Sequence, residues 1–356
     1  MELSIAGLNE WASIVPITEK HDSEKWIQLT VSVEPDLERY NRLLIDNDHL
    51  SIILFHQLNC SSLSIKGTSI SHDCLLQVDF KEPRVFDEAI TTAHLISRFF
   101  SFCNESLAEI RSLSLVLEEG VEVSCYGPFP RAKDSETKKD SHEIFLPFSP
   151  YEDEIQLILE KWMSDSSALA SARDIISSLE YDFWQMPLEL MFISVAQALE
   201  SLTKQTAVLQ ALPDDVYKRY RRDSIAAAKD DDHKRWIEDK TQGNTKGQNR
   251  LLSEFLVEHD DVLGWVIGEN SKPFARVHIA TRNGYTHRDG RGKGDNNVLH
   301  YEDLFWHTKM CVLICKLVIA KQLGFDSDNV SAAIRNSSKW SNVIERAKQV
   351  YSRFSN

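Results

Sequence analysis

YEDLFWHTKMCVLICKLVIAKQL, residues 301–323, decides the fold of this chain. Its centre is apolar almost all the way round a 3.6-residue period, interrupted by Lys316, so as a helix it has no solvent face to spare. Such a helix is buried in a bundle or at a subunit interface. Its longest apolar run, Met310 to Ala320, is too short to span a bilayer. Gly324 follows as the expected C-cap. The residues leading into it, FARVHIATRNGYTHRDGRGKGDNN (274–297), start with helical spacing and end in a cationic loop with three glycines.

Working back toward the N-terminus, helical periodicity holds as far as Tyr151. Segments 152–163 and 167–180 are amphipathic. LELMFISVAQALESLTKQ (188–205) follows Pro187, which is tolerated at a helix start, and its apolar face runs through Leu188, Met191, Phe192, Val195, Leu199 and Leu202. Charged helices are expected at 214–229 and 230–240, then a loop at 241–249, then helices at 249–259 and about 272–287. Ahead of residue 150 the period changes to two. WIQLTVSV (26–33), LSIILF (50–55), SLSIKG (62–67), CLLQVDF (74–80), SLSLVL (112–117) and VEVSCY (121–126) read as short strands, with a tight hairpin at Glu119-Gly120. One helix, Phe86 to Phe102, interrupts them. The polar stretch 131–142 reads as a surface loop, and Pro147-Phe148-Ser149-Pro150 punctuates the chain. The expected fold class is an α+β domain with an antiparallel sheet (1–150), followed by an all-α bundle (151–356).

The 356 residues suffice for about two domains. Hydrophobic residues make up 42 % and charged residues 26 %, which excludes a disordered chain or a fibrous rod. Net charge is −14, unsuited to a general nucleic-acid coat. The charge is uneven: 13 basic against 24 acidic residues (net −11) up to residue 150, and 27 against 30 (net −3) after it. Six cysteines occur without any CxxC spacing, mostly in apolar segments, and read as reduced, buried thiols. No secretory signal is expected at MELSIAGLNEW, so the expected location is cytoplasmic, with no membrane partner.

The chemistry-bearing candidates are Arg282, Asn283 and His287. A histidine can take or give a proton near neutral pH, and an arginine offers fixed charge and a donor fork to a pentavalent phosphate. Together they suit attack of an RNA 2′-hydroxyl on its own phosphate without a metal. On a straight helix Asn283 and His287 share a face, while Arg282 lies ~140° from His287. Either the arginine curls back or His287 stands where the helix frays. Arg288, Arg291 and Lys293 follow as cations for flanking phosphates, and Tyr285 reads equally as a base-stacking ring or a packing aromatic. Spacing by itself is weak: Arg42 and His49 also fit R-x6-H, but in an acidic segment beside strands. A surface ion-pairing helix end is the plain alternative for Arg282 and His287.

Other residues carry competing readings. His278, four before Arg282, either joins the site or is a satisfied interface histidine. KRYRRD (218–223) and HKR (233–235) alternate with aspartates and read as a salt-bridged face. His300 and His307 have no carboxylate partner at a metal spacing, and Cys311 with Cys315 reads as packing. No metal and no cofactor are expected. No P-loop, GxSxG or HExxH pattern occurs. Single tryptophans, Trp236 and Trp340 among them, read as core or interface anchors.

The helical half resembles a HEPN domain (higher eukaryotes and prokaryotes nucleotide-binding). Arg282-Asn283-Gly284-Tyr285-Thr286-His287 fits that family's R-x4-6-H motif with an amide after the arginine. Ala198-Leu199-Glu200 is similar to the triplet that closes the family's first core helix, and the run ending QLGF resembles its last. The resemblance covers about 182–325. A β-rich front half before this bundle is similar to ApeA-type abortive-infection proteins of bacteria. The chain is short for that group, which implies a reduced or incomplete front domain. The resemblance implies a metal-independent endoribonuclease that leaves a 2′,3′-cyclic phosphate, with a composite site between two bundles and hence a homodimer through the helical domain. It further implies that Arg282 binds the scissile phosphate, His287 exchanges the proton and Asn283 orients one of them. RNA is the implied substrate, and a phage-derived trigger sensed by the front domain is the implied activator. Two rival readings stand beside it: a non-catalytic HEPN bundle that binds a nucleotide, RNA or a protein, and an assembly scaffold that dimerises through 301–323.

Overall fold

A computed structural model describes residues 1–13, 17–21, 29–33, 38–60, 70–117, 120–126, 144–164, 167–182, 186–206, 208–241, 243–286 and 297–354. The chain divides into two compact units. Unit one comprises Met1–Met186 with Lys316–Ser341, and unit two Pro187–Cys315 with Asn342–Asn356.

Unit one is built on a six-stranded antiparallel sheet. Its strands are β1 (Glu2–Ile5), β4 (Arg42–Asp46), β5 (Leu50–Cys60), β6 (Ile70–Phe80), β7 (Ile110–Val116) and β8 (Glu122–Ser124), in the order β4-β5-β6-β1-β7-β8. A separate two-stranded ribbon pairs β2 (Ile17–His21) with β3 (Leu29–Val33). Alternation decides which face is buried. One register line runs Leu54–Leu76–Leu3–Leu113 across four strands, and none of these residues exceeds 1 % exposure. The β7–β8 turn is the expected hairpin, with Gly120 at φ +75 and its N–H on the Leu117 carbonyl, a conformation that favours glycine. The segment read as a strand at 62–67 and the loop at 131–142 lie outside the described residues.

Helix α1 (Leu8–Ala12) packs on β6 and α3 (Ile155–Met163) on β4, and α2 (Phe86–Asn104) packs against α1, α3 and α4 (Ser167–Asp182). Ala89, Ala93, Ile96 and Phe100 of α2 are buried as the spacing demands, whereas Phe86, in the first turn, is exposed. The aromatic core joins Trp11, Phe99, Phe100 and Trp162 by edge-to-face contacts at 4.9–6.2 Å, and Phe102 to Trp162 by a tilted contact at 5.5 Å. Trp11 Nε1 donates to the Leu146 carbonyl, and Trp162 Nε1 to that of Leu95, so neither indole is buried without a partner.

Unit two is all helical. It contains α5 (Leu188–Thr206), α6 (Asp214–Ala226), α7 (Asp231–Lys240), α8 (Gln248–Glu258), α9 (Asp260–Ile267), α10 (Ser271–Thr286), the first part of α11 (Tyr301–Leu323) and most of α13 (Ser338–Ser352). The face of α5 read from its sequence is buried from Met191 to Leu202 at 3 % exposure or less. On α11 every residue from Met310 to Ala320 is buried within the chain, so the burial that its sequence requires is met without a second subunit. Gly324 caps it at φ +100, its N–H on the Ala320 and Lys321 carbonyls. Helices α9, α12 (Ser327–Asn336) and α13 were not anticipated, although the Asp326 side chain caps α12 by accepting from the Asn329 N–H.

Lys316, the charge inside the apolar run, belongs to unit one and is fully buried. Its Nζ lies 3.1 Å from Glu105 Oε1, while Lys339 Nζ and Trp340 Nε1 also reach that carboxylate, at 3.0 and 2.9 Å. Burial pushes the Glu105 carboxyl up, but the two ammonium groups outweigh it and hold it down to about 2. Trp340 is thus a buried anchor, whereas Trp236 on α7 is exposed. Arg42, of the decoy R-x6-H match, is engaged by Glu152.

Candidate active site

Arg282 sits on the last turn of α10, facing α5. Its Nη2 donates to Glu200 Oε2 at 3.2 Å and its Nη1 to Asn283 Oδ1 at 3.2 Å. Lys204 Nζ holds the other Glu200 oxygen, Oε1, at 2.8 Å. Two cations on one carboxylate keep Glu200 ionised, its pKa pulled below the ordinary carboxylate range first by the Lys204 hydrogen bond. The Arg282 side chain retains 27 % exposure. It borders a cleft between α5, α8 and α10, whose walls include Leu199, Thr203, Leu251, His278 and Ile279.

The end of α10 is tied to the chain that returns at Asn297. Thr281 Oγ1 accepts from the Leu299 N–H at 3.0 Å and donates to the Asn297 carbonyl at 3.4 Å. Tyr285 Oη donates to the Leu299 carbonyl at 3.2 Å and lies 3.2 Å from His300 Nδ1. Its ring stands edge-on to Phe192, centroids 6.1 Å apart. Gly284 leaves room for Val298: a Cβ there would meet the valine methyls at 3.2 and 3.3 Å. His287, Arg288, Arg291 and Lys293 lie outside the described residues, so the structure brings together only Arg282, Asn283 and Tyr285 of the expected set.

Glu200 and Lys204 were missed as site residues. Glu200 was visible as the acid of the Ala198-Leu199-Glu200 triplet, yet nothing local indicates that it meets an arginine 82 positions later. His278 is on the inner side of α10, 3 % exposed, with burial and then Arg282 pushing it down to about 4; it is a neutral interior imidazole. His307 on α11, read as lacking metal partners, lies beside it. The basic runs of α6 and α7 carry the ion pairs Arg222–Asp223 (3.2 Å) and Arg235–Asp232 (3.5 Å), in keeping with a solvated face. Among the described cysteines Cys74, Cys103, Cys311 and Cys315 are buried free thiols, and Cys125 is half-buried. No described helix is long and apolar enough to cross a membrane.

Comparison with protein families agrees with this architecture. Residues 193–329, from within α5 to the first residues of α12, match the model Apea-like HEPN, so the helical bundle is a HEPN domain. Residues 1–162 match ApeA N-terminal domain 1. The chain is a HEPN protein of the ApeA type, a sheet-containing N-terminal region followed by a HEPN bundle. Searches of curated proteins and of solved structures returned no match.

Proposed function

We propose that this chain is a metal-independent endoribonuclease of bacterial anti-phage abortive-infection defence. The observation that carries this reading is Arg282 at the mouth of a cleft on the last turn of α10, its guanidinium oriented by Glu200 and Asn283, within the region matching Apea-like HEPN. A guanidinium held from two sides and still partly open to solvent is suited to meet a phosphate. In this mechanism His287 takes the proton from the RNA 2′-hydroxyl. That oxygen attacks the adjacent phosphorus, Arg282 stabilises the charge on the pentavalent phosphate, and the 5′-oxygen departs with a proton returned to it. The products are a 2′,3′-cyclic phosphate and a 5′-hydroxyl. Glu200, already bonded to two cations, is a poor magnesium ligand, which favours acid–base chemistry.

The active unit is a homodimer in the cytoplasm, with two motifs facing each other across the bundle interface. Arg288, Arg291 and Lys293 contact flanking phosphates, and Tyr285, only partly buried, contacts a base. Residues 1–150 form the sensor of a phage-derived trigger, and residues 151–356, with a core at about 182–325, form the effector. The deciding experiment incubates the purified full chain with RNA in magnesium-free buffer and identifies the product ends. Cyclic phosphate lost in Arg282→Ala and His287→Ala supports the reading; unchanged cleavage in both variants removes the assigned site.

One observation favours the non-catalytic alternative, a HEPN bundle that binds nucleotide, RNA or protein. The Glu200 carboxylate already compensates part of the Arg282 charge. Binding by the wild-type chain without any cleaved product would establish that alternative.

A further inference from the structure

Beneath Arg282, on the inner side of the same helix, three soft and borderline ligand atoms converge. His278 Nδ1 (α10) and His307 Nε2 (α11) are 3.2 Å apart. Cys311 Sγ, one turn after His307 on α11, is 3.5 Å from the first and 3.6 Å from the second. All three side chains are buried, two of them completely. We propose that His278, His307 and Cys311 form a structural zinc site that pins α10 to α11.

The distances carry the assignment. Zinc bonds of about 2.05 Å to nitrogen and about 2.3 Å to sulfur, at tetrahedral angles, put two nitrogens about 3.3 Å apart and each nitrogen about 3.5–3.6 Å from the sulfur. The observed triangle has those edges. A second His–His–Cys group, in unit one, provides the contrast. There His56 Nδ1 and His72 Nε2 are 2.8 Å apart with their rings stacked, and Cys74 Sγ is 3.4 and 3.9 Å from them. That nitrogen pair is closer than two ligands of one tetrahedral zinc stand, whereas the 3.2 Å of His278 and His307 suits either a zinc or a hydrogen bond.

The surroundings of the proposed site fit as well. The other nitrogen of His307, Nδ1, is 2.9 Å from Tyr351 Oη on α13, the kind of outer contact that fixes the orientation of a metal-bound imidazole. Phe192 and Phe274 flank both imidazoles, with centroids 5.1–5.8 Å away. Nitrogen and thiolate ligands together select zinc over magnesium or calcium. Among the described residues no fourth His, Cys, Asp or Glu joins the triangle, so a water completes the tetrahedron. Burial raises the Cys311 thiol, so zinc must displace its proton: the S–H bond breaks, a Zn–S bond forms and the proton leaves to bulk solvent. No redox change is involved. His278 lies one helical turn before Arg282 and lines the same cleft while only 3 % exposed, so the zinc supports the helix that presents the arginine and takes no part in cleavage.

Metal content of the full chain, purified without chelator from zinc-supplemented cells, tests this independently of nuclease activity. About one zinc per chain is expected in wild type and Cys74→Ser, falling below about 0.2 in Cys311→Ala. Cobalt reconstitution of the wild-type chain adds a readout that needs no variant to fold: a thiolate-to-cobalt charge-transfer band in the near ultraviolet. A wild-type chain with neither zinc nor that band overturns the proposal and leaves a metal-free His278–His307–Tyr351 hydrogen-bond relay. Zinc lost in Cys74→Ser but kept in Cys311→Ala also overturns it.

Discussion

Arg282 Nη2 lies 3.2 Å from Glu200 Oε2, joining the end of α10 to the middle of α5 across 82 positions of sequence. Glu200 both orients the guanidinium and offsets its charge, and these two effects separate on mutation. In Glu200→Gln the shape is kept and the charge removed. RNA should bind about fivefold tighter, since a unit charge at about 4 Å in water is worth about 1 kcal/mol. The steepness of the salt dependence should rise as well. Fluorescence anisotropy against salt concentration measures both; unchanged affinity would detach Glu200 from the RNA site.

Removing the guanidinium should cost cleavage and little else. Arg282→Ala is expected to lower kcat by about 10²–10³, the scale for loss of one transition-state charge stabiliser, and His287→Ala by about 10²–10⁴. Arg282 is part-exposed, so melting temperatures should stay close to wild type. Single-turnover cleavage with calorimetry on the same samples checks this; a large drop in melting temperature would assign Arg282 to stability.

Gly284 and Val298 are coupled by space. Gly284→Val forces Val298 away from α10 and with it the Leu299 backbone that Thr281 and Tyr285 hold. Cleavage should fall at least about tenfold, the sensitivity expected of a displaced catalytic segment. Adding Val298→Ala should restore most of it. Failure of that double variant to recover, with the fold intact, would break the proposed link.

The buried Glu105–Lys316 pair sets an acid limit. The native carboxyl is held near 2, below its unfolded value near 4.5, so its stabilisation is full above the unfolded value and is lost as pH falls toward about 2. Lys316→Met leaves a buried carboxylate without its fully buried cation and should destabilise unit one by about 3 kcal/mol, the scale for breaking a buried pair. Urea unfolding at pH 7 and pH 3 reads both; a smaller cost of the mutation at pH 3 is expected, and an equal cost would contradict the ionic account.

Much of the fold was legible because periodicity is local. Residues 50–55, 74–80 and 112–117 alternate, and they lie in β5, β6 and β7; the faces of α2 and α5 were readable from their own spacing. Strand β1 was not. Four residues at Glu2–Ile5 give too short a pattern, and what makes them a central strand is pairing with β6 and β7, 73 to 112 positions away. Arg282 and Asn283 stood out through residue type and context. Glu200 and Lys204 did not, since a carboxylate and an amine one helical turn apart look like any surface pair.

Residue order alone therefore determined the helices, most strands, the burial of 310–320 and the arginine that presents the candidate chemistry, because backbone period and side-chain polarity act within a few residues. Only the tertiary structure decided which side chains meet. Glu200 reaches Arg282 through the packing of α10 on α5, 82 positions away, and His278 reaches His307 and Cys311 on the helix that follows. Distances of 3.2–3.6 Å between those side chains follow from how helices pack, and no local spacing encodes them.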